Sequence, residues 1–170
     1  AMDACVKAGI GLMGMKTQDS VPEDQEEVKK FVSDNFTLPQ AKLKAAWADE
    51  RITACVSGIV NTKILAENAA AAKSQVQLSM REMMQLNQYA ARTAHHRCKL
   101  CNTVCQSQID APLRVSDTLR YLMYDECYGQ HDTARALYNN LRPEERNFEG
   151  VDLGAAMAAC PRGIDIAARL

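Results

Sequence analysis

The sequence predicts a chain of two parts: an α/β segment over residues 1–75 and a mostly α-helical, metal-binding segment over residues 76–170. Three observations carry this. Two short apolar runs, Ile10 to Met15 and Ile52 to Val56, have the unbroken hydrophobicity of strands covered on both faces in a parallel sheet, and helix signals follow each. Beyond Ser74 such runs cease and apolar residues recur at helical spacing. Within that second part Cys98, Cys101 and Cys105 fall inside eight residues, and Cys160, followed at once by Pro161, stands near the C-terminus.

Taken in order, the first strand leads into a turn-rich stretch where Ser20, Pro22 and Glu23 read as a capping box with proline at the first helical position. Val28, Phe31 and Val32 then predict a helix to about Ser33. Thr37 to Gln40 repeat the start signal, and Leu43, Ala46 and Trp47 give the next helix its apolar stripe before Asp49, Glu50 and Arg51 end it. After the second strand, Ser57 and Gly58 turn the chain into a helix over about residues 63–72, whose alanine run has high helix propensity. Ser79 and Glu82 cap a helix with Met83, Leu86 and Ala90 on one face; Met80, Met83 and Met84 read as adaptable core filler. Leu119, Leu122 and Met123 mark a helix stopped near Gly129, and Ala134, Leu137, Tyr138 and Leu141 mark a second stopped before Pro143, the two forming a hairpin. Asp152 caps a last helix that delivers Cys160 at its end.

Composition narrows the function classes. The formal charge of −1 lacks the excess of Lys and Arg that a phosphate-tracking surface needs, so no nucleic-acid partner is expected. No apolar run approaches the roughly 18 residues of a membrane span, and the start has neither a basic nor an apolar signal region. Seven cysteines without such a signal point to a reducing, cytoplasmic setting and to metal or redox chemistry rather than disulfides.

A C-x2-C-x3-C run closes poorly around one small ion but can hold three corners of a cube, leaving the fourth to a distant Cys-Pro. That is the habit of a [4Fe-4S] cluster, with Cys98, Cys101, Cys105 and Cys160 as ligands. The competing reading is structural zinc, held by four cysteines or by three and a histidine, since His95 and His96 stand just upstream. It would make the chain a zinc-stabilised interaction module without redox chemistry. Cys5 and Cys55 read as small hydrophobes, and Cys127, in the helix hairpin, is not expected to be a ligand.

Ala8 to Thr17, Trp47 to Gly58 and Asn61 to Asn68 resemble the last two β/α units of the aldo/keto reductase barrel. Leu119 to Tyr124, Tyr128-Gly129, Ala134 to Tyr138 and Ala159 to Ile166 resemble the ferredoxin-type C-terminal extension of the iron–sulfur branch of that family. The resemblance implies the remnant of a (β/α)8 barrel over residues 1–75, then a helical, ferredoxin-like [4Fe-4S] domain over 76–170. It implies an oxidoreductase fragment whose catalytic tetrad lies on barrel strands this sequence lacks, so the chain alone is expected to be inactive. Its partners would be a redox protein or a missing N-terminal barrel half, or a second copy of the chain.

In the family, the turn after the eighth strand binds the adenine end of a nicotinamide dinucleotide, which here implicates Gly58, Ile59, Asn61, Glu67 and Asn68. An NAD(P) site of this kind is expected only in a complete barrel. Ile64 stands where NADP-preferring members often place arginine. The family's two-cluster motif is not repeated before Cys160, where Gly150, Leu153 and Ala156 replace cysteines, so one cluster is implied, with His95 as an alternative ligand.

Overall fold

A computed structural model describes residues 1–18 and 26–170; the capping box expected at Ser20 to Glu23 lies outside the described residues. The chain divides into two compact units, one of residues up to Ala90 and one of Ala91–Leu170.

The first unit opens with helix α1 (Met2–Lys7) and strand β1 (Leu12–Met15). Helix α2 (Glu26–Lys29) ends before Ser33, to which its pattern predicts it. The backbone leaves the helix because the Val32 amide donates to Gln85 Oε1 at 2.8 Å and Ser33 turns its hydroxyl to Glu82, so long-range bonds replace the helical ones. Helix α3 (Leu38–Trp47) begins as expected: the Thr37 hydroxyl accepts from the Gln40 amide, and the Gln40 side chain accepts from the Thr37 amide. Strand β2 (Ile52–Val56) pairs in parallel with β1. Helix α4 (Thr62–Lys73) follows, its N-terminus closed by the Asn61 side chain, which accepts from the Ile64 amide at 2.9 Å. Helix α5 (Met80–Arg92) starts at Ser79, whose amide and hydroxyl both donate to the Glu82 carboxylate at 2.7 Å. Hydrogen bonds from Ser33 and Ser79 hold the Glu82 carboxyl below its ordinary pKa. Leu86 of α5 packs with Phe36 and Ala41, which is why the first unit runs past residue 75.

The barrel remnant expected over residues 1–75 is not what the chain forms. The described residues are mostly helical, and their sheet has two strands only, Leu12 opposite Ile52 and Met15 opposite Val56. Between Leu12 and Met13 the register slips by a bulge, and the Thr53 hydroxyl accepts the Leu12 amide at 3.2 Å in place of a ladder partner. Nor are the strands covered on both faces: Met13 is 63% and Met15 72% exposed. A barrel strand has a neighbour at each edge, and two short strands paired only with each other each lack one. The expectation of a mostly helical second part agrees with the structure.

That second unit begins with a 3₁₀ turn at Ala94–His96 and helix α6 (Asn102–Gln106). Helices α7 (Val115–Tyr128) and α8 (His131–Asn139) form the expected hairpin. Gly129 ends α7 at φ +62°, and the Gln130 amide returns to the Tyr124 carbonyl at 2.9 Å. Pro143 does not simply stop α8; it opens helix α9 (Pro143–Arg146), capped by Glu145 accepting from the Arg142 amide. Helices α10 (Gly154–Ala159) and α11 (Ile166–Arg169) complete the unit. Leu113, Val115, Leu119, Leu153, Ala156, Ile164 and Ile166 are its core. No helix among the described residues is long and apolar enough to cross a membrane.

Candidate metal centre

Short elements bring three of the four cysteines to one core. Cys101 precedes α6, Cys105 lies inside it at 7% exposure, and Cys160 is the residue at which α10 ends. Helix α10 packs on α6, so Cys98, Cys105 and Cys160 all border the same apolar cluster around Leu113, Val115 and Ala156. None of the four thiols is in a disulfide.

The Cys98–Cys101 turn has an unusual backbone. Leu100 sits at φ +59°, in the left-handed region that a branched side chain enters at a cost of about 1–2 kcal/mol. That conformation aims the Leu100 amide at Cys98 Sγ, 3.3 Å away. An N–H···S bond of this kind steadies a thiolate and is one of the levers by which a protein tunes a metal-bound sulfur. Electrostatics ties the fourth cysteine in. Burial pushes the Cys98 thiol above its ordinary pKa, opposed by the Leu100 amide, and Cys105, Cys101 and Cys160 each push it further up. Burial likewise raises Cys105, with Cys101 and Cys160 acting in the same direction. Until something displaces their protons, such thiols are poor nucleophiles.

The same residues do not form a finished ligand shell. Among the described residues, no three His, Cys, Asp or Glu side chains are arranged to hold a metal ion. A zinc with Zn–S near 2.3 Å draws its sulfurs to within about 4 Å of one another. A four-iron cube sets its ligands wider apart, at its corners. The donor chemistry, one buried and three half-buried thiols with three of them bordering an apolar wall, suits iron–sulfur ligation by a shell that closes on binding.

The His95 and His96 rings lie with centroids 4.1 Å apart and are tilted by 39°. Burial holds His96 below its ordinary pKa, and the charges acting on it are His95, Arg169 and Glu126, none of them a cysteine. The second-unit cysteine outside the set, Cys127 on α7, is raised by burial, and its charged neighbours are Glu126, Arg97 and Arg169.

Among the residues expected to meet a dinucleotide, the Asn68 and Asn61 side chains are hydrogen-bonded within the unit. Asn68 accepts from Gln18 Nε2 at 2.8 Å and donates to Ser57 Oγ at 2.9 Å, and the Ser57 hydroxyl bonds Gln18 Oε1. This strap ties the ends of β1 and β2 to α4. Gln40 Nε2 donates to the Glu67 carbonyl at 2.9 Å, and Asn61 caps its own helix. Gly58 and Ile59 lie on an exposed loop. The strap spans fifty positions, and no local sequence pattern announces it.

No protein-family model, curated protein or solved structure matches the chain.

Proposed function

We propose that the second unit is an iron–sulfur module in which Cys98, Cys101, Cys105 and Cys160 hold one [4Fe-4S] cluster, the electron-carrying or structural C-terminal part of an aldo/keto reductase-like oxidoreductase. The observation that carries the reading is the shared core: three thiols from two sequence-distant segments border one apolar cluster, and the charge of the fourth acts on two of them. When bound, such a cluster passes single electrons. The chain's own part is to exclude water with Leu113, Val115 and Ala156, to orient Cys98 through the Leu100 amide, and to fix Cys160 at the end of α10.

The test is direct. Chain purified without oxygen and supplied with iron and sulfide is expected to be brown, with broad visible absorption that bleaches on reduction and four irons per chain. A colourless protein that takes up one zinc at the same cysteines would replace the cluster by a structural metal site and remove the redox role.

A further inference from the structure

A cleft of about 230 Å³ lies in the second unit, walled by α7 and α8 and closed by the residues around Arg169. Both helices present the same stripe to it, Thr118, Tyr121, Leu122 and Asp125 from one and His131, Ala134, Arg135 and Tyr138 from the other. Each is an i, i+3, i+4, i+7 face, so the lining follows from two helical surfaces and not from a chance crevice.

The chemistry of the lining is specific. Tyr121 and Tyr138 supply aromatic walls. His131 Nδ1 lies 2.7 Å from Asp125 Oδ1, which occupies the Asp125 carboxylate and leaves Nε2 as the ring's remaining polar atom. Arg169 is fixed by Glu126, whereas Arg135 has Asp132 only at 4.0 Å, with both side chains largely in solvent. One guanidinium is thus held in place and a second is loosely restrained at the mouth. At this volume, below the roughly 300 Å³ at which drug-sized pockets begin, the occupant is small.

The geometry points to a binding site for a small aromatic carboxylate, its ring between Tyr121 and Tyr138 and its carboxylate on Arg135 at the mouth. Arginine's fork suits a carboxylate in two parallel hydrogen bonds, which a neutral amide of the same shape does not reproduce. The site draws on none of the four cysteines.

Titration of the full chain with benzoate, benzamide and inorganic phosphate, followed by calorimetry and by amide chemical shifts, tests this. Benzoate is expected to bind several-fold tighter than benzamide or phosphate, the value of one solvent-exposed ion pair, with shifts confined to α7, α8 and the Arg169 region. Arg135→Gln, at an exposed position that leaves the fold intact, should abolish the preference for benzoate over benzamide; Tyr138→Leu should weaken both. Equal binding of benzoate and benzamide, no binding of benzoate to a chain of undiminished helicity, or a preference that survives Arg135→Gln would overturn the proposal.

Discussion

Lys42→Met isolates one electrostatic term of the first unit. Burial lowers the Lys42 ammonium from its ordinary pKa of 10.5 to about 8. The folded lysine therefore gives up its proton near pH 8, and the unfolded one near 10.5. Between those values the unfolded chain binds more protons, so the stability of the natural chain rises with pH across this window. Below pH 8 the penalty is complete, and above 10.5 it is gone. At about 1.4 kcal/mol per pH unit between the two values, keeping the ammonium charged costs the fold about 3 kcal/mol at neutral pH. The Tyr89 contacts, a ring centroid 4.2 Å away and a hydroxyl at 3.1 Å, disappear with the lysine. The net gain of Lys42→Met at pH 7 should thus be smaller, about 1–2 kcal/mol once a cation–π contact is lost. The pH-dependent part stays at about 3 kcal/mol. Trp47, the chain's single tryptophan, lies on the same helix and reports this unit in denaturant titrations by fluorescence. The variant should be the more stable at pH 7, with its advantage declining between pH 8 and 10.5. A stability difference that does not change with pH would refute the reasoning.

Two further outcomes are expected. Nearly all the large exposed hydrophobic residues fall in the first unit, Met13, Met15 and Val60 among them, so the chain should bind a hydrophobic dye strongly or self-associate; a monodisperse monomer indifferent to dye would contradict this. Gly129→Ala should destabilise the second unit by about 1 kcal/mol in thermal unfolding, because φ is +62° there while an added Cβ meets nothing within 4 Å, and an unchanged midpoint would show that α7 ends otherwise.

Local signals were legible where their partners lie within one turn. The Thr37–Gln40 box and the Ser79–Glu82 cap join residues three apart, and the Gly129 stop closes on Tyr124 in the last turn; the helix leading to Cys160 is present but Asp152 does not cap it, since it starts at Leu153 and the Asp152 carboxylate accepts from the Gly154 amide. Elements set by distant partners were not. Helix α2 ends early because Gln85, fifty-three positions on, takes the Val32 amide. The strand runs were recognisable, yet nothing local revealed that each has one neighbour only, and that difference separates a two-stranded sheet from a barrel. Helices α6 and α11 are too short to show a 3.6-residue period, and Pro143 signals a stop as readily as a start. For the cysteines, the packing of α10 on α6 brings Cys160 to the core that Cys98 and Cys105 border, a contact no local spacing shows. The pairing of His131 with Asp125 crosses the Gly129 turn, outside any helical period.

The most direct test compares iron content and far-UV helicity in Cys160→Ser, Cys127→Ser and His95→Ala. Because no finished ligand shell precedes the metal, binding free energy becomes folding free energy for the unit. Cys160→Ser is expected to lose iron and helicity together, while Cys127→Ser and His95→Ala keep both. Full iron in Cys160→Ser, with iron lost in His95→Ala, would move the fourth ligand to His95 and contradict the account.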